Sequence, residues 1–384
     1  MRVLVPFGTR PEIVKLAPVV AAFRDTGDHV ITVATGQHDE PLLAASFFAD
    51  LAIEPDVRHD LPSGEGPRMG ALVEHAYADV AAHDPEVVVA LGDTNTVPAY
   101  ALAARRAGVP VAHLEAGLRS FNQRSLEEVN RAIAAATASL QLAPTVLAAA
   151  FLRAEGHDDA RVHVVGNPVT DVLRRLAPPP RPVDERDGLL VTAHRATNVD
   201  DPDRLARLVA LLERLAATSA SVRFPVHPRT HQRLTSAGML DRLERSPGLR
   251  LEPPLRYPEM LEAIAAARVV VTDSGGLQEE AAWFGVPVVV LRTSTPRWEG
   301  VVTGSARLVG LDVDRALAAA TELATPSEQE RVAALPCPYG DGYVGPRVVT
   351  TVHDAAASGL LDLAEPQLTS ALPDAVADAL QHTP

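Results

Sequence analysis

One cysteine, Cys337, stands in 384 residues, so no internal disulfide can staple the chain and a reducing compartment is the default. Aromatic residues make up only 4%, yet 47% of the chain is apolar and 22% charged, which is a globular composition. Basic residues are outnumbered: 35 Lys and Arg face 49 Asp and Glu, for a formal charge of −14. A nucleic-acid partner is therefore not expected, because it would need a basic footprint. Long hydrophobic runs are missing too. The longest apolar-rich stretch, residues 132–152, carries Gln141 and Pro144 and is mostly alanine, so it reads as buried helix, strand and turn rather than a membrane span. The opening MRVLVPFGTRPE has no apolar core followed by a cleavage site, so no signal peptide is expected and the chain is read as soluble and cytoplasmic. The lack of GxGxxG argues against a dinucleotide cofactor. His, Cys and carboxylates do not take up the spacing of a metal site, and no metal is expected.

What is present is a repeated strand–helix pattern. The length exceeds one ordinary core and suggests two domains. Strands are expected at 3–6, 30–34, 87–91 and 109–114, with helices near 69–83 and 99–106. VVVAL at 87–91 does not alternate, as befits a strand covered on both faces. PPPRP at 178–182 reads as a connection between domains. The pattern then restarts, with strands at 189–192, 222–226, 269–272 and 286–291 and a helix near 204–216. The fold class is α/β, with two doubly wound parallel sheets. A late helix begins within 338–349, and beyond about Gly359 the composition assigns no function.

Chemistry-bearing residues follow nearly every strand, which is where α/β enzymes place their sites. HLEAGLRSFNQRSLEEVNR at 113–131 gathers Glu115, Glu127 and Glu128 with Arg119, Arg124 and Arg131. A salt-bridged surface loop would read the same way. Asp93 of GDTNT ends a second strand of that sheet, so it and Glu115 should face one crevice; a helix cap is the plainer account of it. Asp273-Ser274-Gly275-Gly276 links a strand to a helix. Bare N–H groups at such a turn suit a phosphate, although Asp273 or Ser274 could simply cap the helix. Arg10 in the FGTRPE turn and Lys15 beyond it, His194 and Arg195, His227 of PVHP, and Arg297 of RTSTPRWEG complete the set. An acidic protein thus concentrates positive charge at its strand ends, which suits a dianionic diphosphate. Asp93, Glu115 and Glu127 stand beside it as acids able to shuttle protons.

FGTRPEIVKLAPV, TGQH, GDTNT, HLEAGLRS, EEVNR, HR, PVHP, DSGGLQEEA, RTSTPRWEG and PYGDG occur in one order over residues 3 to about 350. In this they resemble the non-hydrolysing UDP-N-acetylglucosamine 2-epimerase family. The resemblance implies a glycosyltransferase-B type fold: an N-terminal Rossmann-like domain over 1–167, a nucleotide-binding one over 168–340, and a C-terminal helix and tail over 341–384 packing back on the first. It implies a homodimer, a UDP-sugar substrate, and inversion at sugar C2 through elimination of UDP to 2-acetamidoglucal and re-addition, with no cofactor. It assigns catalysis to Asp93, Glu115, Glu127 and His194. Arg10, Lys15, Arg131, Ser274, Gly275 and Gly276 grip the diphosphate and sugar, Glu280 the ribose hydroxyls, and His227 and Arg297 are further substrate contacts. Asp39 stands where the family carries Arg, in a segment tied to allosteric UDP-GlcNAc. Trp298 stands where it carries Pro. A hydrolysing epimerase or glycosyltransferase of the same fold is the alternative, and a non-catalytic nucleotide-sugar binder is a third reading.

Overall fold

The computed structural model describes residues 1–36, 54–219 and 221–363, and of Arg10 the backbone alone. Asp39 and the tail beyond residue 363 lie outside the described residues. Two parallel sheets form. The first takes β1 (Arg2–Phe7), β2 (His29–Ala34), β3 (Val57–Arg58), β4 (Val87–Leu91), β5 (Val111–Leu114), β6 (Leu140–Ala143) and β7 (Val162–Val164) in the order β3-β2-β1-β4-β5-β6-β7. The second takes β8 (Leu189–Thr192), β9 (Val222–Pro225), β10 (Leu249–Glu252), β11 (Val269–Thr272), β12 (Val288–Val290) and β13 (Ala306–Leu308) in the order β10-β9-β8-β11-β12-β13. In each sheet the order reverses beside the first strand, which opens a crevice at the carboxyl ends.

Two strands are shorter than their apolar runs suggest. β5 starts at Val111 rather than 109, and β12 at Val288 rather than 286. Pro110 and Pro287 precede them and have no N–H for the ladder. Each still contributes its carbonyl: Val88 N donates to Pro110 O and Val270 N to Pro287 O, both at 3.0 Å.

The chain leaves the first sheet near Gly166, ahead of PPPRP. Helix Val169–Leu176 already packs Val169 and Leu173 into the second domain's core with Leu190 and Leu261. The chain then returns. Helix Val344–Ala357 sets Val344, Val348, Val349 and Val352 into the first core against Leu16, Val20 and Phe23 of helix Arg10–Asp25. Asp171 fixes the start of that return by accepting from Val344 N at 2.8 Å and Gly345 N at 3.0 Å. At the crossing itself, Asn167 N donates to Tyr339 O at 2.7 Å. Among the described residues, no helix is long and apolar enough to cross a membrane.

Candidate active site

Between the two sheets lies a cavity of about 630 Å³, lined from both domains. Thr9, Lys15, Asp93, Glu115, Glu127 and Arg131 line one side; His194, His227, Ser274, Gly275, Gly276, Glu280 and Arg297 line the other. The sheet topology thus gathers all the anticipated residues whose side chains are described. Arg10 starts helix Arg10–Asp25, and its side chain lies outside the described residues.

Glu115 immediately follows β5 in the left-handed region, with φ of 61°. That conformation is costly for a residue with a side chain and is held only by its surroundings. His113 contributes by donating from Nε2 to Gly92 O at 2.8 Å, which ties the ends of β4 and β5 together. The Glu115 carboxylate is buried; its Oε1 accepts from Lys15 Nζ at 2.6 Å and from Asn167 Nδ2 at 2.7 Å. Lys15 also donates to Glu279 Oε2 at 2.8 Å. Glu279 Oε1 accepts from Arg297 Nε at 2.9 Å and Asn167 Nδ2 at 3.2 Å. Two cations and two carboxylates therefore alternate across the cleft. Burial pushes the Glu115 carboxyl up, but the Lys15 and Arg297 charges outweigh it and hold the group well below the usual carboxylate range.

Asp93 and Glu127 lie beside this network. Arg131, itself buried, reaches Asp93 with one end of its guanidinium and Glu128 with the other. Glu127 takes the Ser125 hydroxyl in the first turn of helix Leu126–Thr137. Burial raises its pKa, and the Ser125 hydrogen bond with the charges of Arg195 and Arg131 brings it below the ordinary value. Glu128 accepts from Ser120 N and Oγ, both at 2.8 Å, so it shapes the loop between β5 and the helix. Arg119 pairs with neither Glu115 nor Glu127: it donates to Glu155 from Nε at 2.7 Å and from Nη2 at 2.6 Å.

In the second domain, Ser274 is the helix cap and Asp273 does something else. Asp273 is fully buried and accepts from the backbone N–H of His194 at 3.1 Å and of Arg195 at 2.9 Å. Its Oδ1 lies 3.2 Å from His194 Nδ1. A carboxylate there fixes which imidazole nitrogen carries the proton and leaves Nε2 for the cavity. The His227 ring centre is 5.1 Å from that of His194, and its Nδ1 accepts from Arg229 N at 3.2 Å. A Cβ on Gly275 would stand 3.2 Å from the Arg297 guanidinium carbon, so that glycine makes room for the arginine. Glu280 is buried beside Glu279, with Oε2 unpartnered; burial and then the neighbouring charge push it up to about 7.

Five contributors are not among the anticipated site residues. Glu12 accepts from Gly8 N at 2.9 Å, Thr9 N at 2.7 Å and Thr94 Oγ1 at 2.7 Å, so it shapes the FGTR turn; burial lifts it to about 7. Asn167, Glu279 and Asp273 act as described above. Arg292, immediately after Leu291, is the fifth. The rule that exposed the others, a polar residue just past a strand, would have found it.

Two parallel α/β domains with a polar cleft at their carboxyl ends define a two-domain protein of the glycosyltransferase-B type. The sequence model of the UDP-N-acetylglucosamine 2-epimerase family matches residues 21–353, and the chain belongs to that family of isomerases. A UDP-N-acetylglucosamine 2-epimerase of Methanocaldococcus jannaschii is 34% identical over 364 residues, covering 91% of this chain and 98% of its own. A UDP-2,3-diacetamido-2,3-dideoxy-D-glucuronate 2-epimerase of Pseudomonas aeruginosa is 36% identical over 326 residues, or 81% of this chain and 88% of that one. The crystal structure of the M. jannaschii UDP-GlcNAc 2-epimerase in complex with UDP-GlcNAc and UDP superposes with a TM-score of 0.82 at 32% identity. It covers 92% of this chain and 100% of that one.

Proposed function

We propose that the enzyme interconverts UDP-GlcNAc and UDP-ManNAc. The C2–H of the sugar is barely acidic until C1 becomes electron-poor. Departure of UDP with the C1–O electron pair creates an oxocarbenium-like centre, and loss of the C2 proton then closes the C1=C2 bond of 2-acetamidoglucal. Return of a proton to the opposite face of C2 and attack of the UDP oxygen on C1 complete the inversion. The observation that carries this reading is the convergence of Asp93, Glu115 and Glu127 in one cavity with the His194–Asp273 pair. Glu115, held ionised by Lys15, offers a fixed negative charge to the developing cation. On this reading Glu127 and Asp93, which line the same cavity, serve as proton acceptor and donor on the two faces. His194 faces the departing diphosphate. Diphosphate and sugar contacts fall to Arg10, Lys15, Arg131, Ser274, Gly275, Gly276, His227 and Arg297, and Glu280 holds the ribose.

Incubation with UDP-GlcNAc in D2O, followed by NMR, tests the reading. Deuterium at C2 together with UDP-ManNAc is the expected result. Free ManNAc plus UDP would assign the hydrolysing alternative, and binding without turnover would leave a nucleotide-sugar binder. Running UDP-2,3-diacetamido-2,3-dideoxy-D-glucuronate in parallel shows whether the sugar preference follows the M. jannaschii or the P. aeruginosa relative.

The active form is a homodimer. Leu126, Val129 and Ile133 expose an apolar stripe along one helix, 63%, 51% and 36% accessible, at the spacing of a single helical face. Sedimentation should give the mass of two chains; a monomer at micromolar concentration would overturn the assignment.

A further inference from the structure

The basic groups lining the cavity differ in what they already hold. Lys15 lies between Glu115 and Glu279, Arg131 between Asp93 and Glu128, and Arg297 on Glu279. His194 faces Asp273. Arg195 has a backbone carbonyl for its Nε, that of Asp273 at 3.0 Å. Among the described residues Arg292 has nothing of the kind: its Nη1 is buried without a hydrogen-bond partner, and no carboxylate forms an ion pair with it.

This arrangement is unfavourable for the empty protein. The charges felt at Arg292 are those of Arg195, Arg297 and Arg131, with Glu127 the one opposing acid among them. Burial first, then those like charges, bring its pKa down to about 10. A guanidinium can be lost from solvent without a partner only at a cost. The backbone that carries it is held in place. Gly310 N donates to Arg292 O at 2.9 Å, Leu291 N to Thr272 O at 2.8 Å, and Asn198 Nδ2 to Leu291 O at 3.0 Å. Arg292 thus stands just past β12 on a fixed backbone, and it lines the cavity.

We propose that Arg292, together with Arg195, is the guanidinium pair that takes the diphosphate oxygens of the substrate. The inference rests on the UDP-sugar reading above; it adds Arg292 to the anion contacts and gives Arg195, one of the basic residues at the strand ends, a definite part. Its physical basis is availability. A phosphate reaching Lys15 or Arg297 must compete with carboxylates buried beside them, whereas at Arg292 it meets an unsatisfied fork whose geometry matches two phosphate oxygens. Binding there relieves repulsion between cations and leaves the Lys15–Glu279–Arg297 network intact. As the C1–O bond breaks and charge grows on the leaving phosphate, the same pair gains strength at the moment it is needed.

Calorimetry with UDP and with uridine, on the full chain and on R292M, tests the proposal. UDP should bind R292M about 10- to 100-fold more weakly, the range of hydrogen bonds to charged groups. Uridine, which lacks the phosphates, should bind both proteins equally. The melting temperature of R292M should equal or exceed that of the parent, because an unpaired, half-buried charge has gone. R292K should fall between the two in UDP affinity, keeping the charge and losing the fork. R292Q replaces R292M should the latter not fold. Unchanged UDP affinity, or a parallel loss of UDP affinity, uridine affinity and stability in both neutral variants, overturns the assignment. A parent protein that binds no UDP would instead remove the UDP-sugar reading beneath it.

Discussion

Glu115→Gln is expected to retain UDP binding and lose at least ~100-fold in turnover, the scale of positioned acid–base and charge-stabilising groups. The substitution keeps the shape and the Asn167 neighbour, and it leaves Lys15 with Glu279 as a partner. The diphosphate contacts are thus preserved while the negative charge facing the sugar ring disappears. Asp93→Asn should behave alike for a different reason. It removes an acid rather than a fixed charge and leaves Arg131 paired with Glu128. Rates of deuterium incorporation at C2 separate the cases: proton transfer and UDP release should slow together in the Gln variant, where the cationic centre is destabilised. Unchanged turnover in both variants would remove these residues from the chemistry.

Lys15→Met should destabilise the fold by about 3–5 kcal/mol, the usual cost of stranding a buried charge. Lys15 and Arg297 balance Glu115 and Glu279 in a largely buried cluster. Removing the lysine leaves one negative charge in excess. Adding Glu279→Gln restores the balance, so the double variant should recover much of the loss in urea unfolding. A Lys15→Met single variant within about 1 kcal/mol of the parent would contradict the description of the cluster. The pairing also has a sign in pH. The folded Glu115 carboxyl lies below its ordinary 4.5, so its contribution is full above that value and lost as pH falls through the depressed one.

The sheets and most of the cleft were legible because apolar β-branched runs end abruptly in polar residues. Such a boundary at Leu91, Leu114 and Thr272 marks a strand's carboxyl end whatever the rest of the chain does. Asp93 and Glu115 were found that way. Glu279 was not, since QEE in a helix reads as surface charge; it is buried with Lys15 and Asn167 from elsewhere in the chain and with Arg297, and sequence patterning carries no term for such contacts. Asp273 was ambiguous between a cap and something more, and the cap went to its neighbour Ser274. Arg119, grouped by sequence with the acids of 113–131, pairs instead with Glu155, which helix Val146–Ala154 brings to it from outside the charged stretch.

The side-by-side passages of the chain between domains have a mechanical meaning. Gly166 and Gly340 approach so closely that a Cβ on Gly340 would stand 3.6 Å from the Gly166 Cα, and Asn167 is bonded to Tyr339. Two covalent threads that run together form a single axle, and a swing of one domain on the other turns about it. Asn167 rides on that axle while its amide holds both Glu115 and Glu279. The pivot between the domains therefore belongs to the same polar lattice as Glu115.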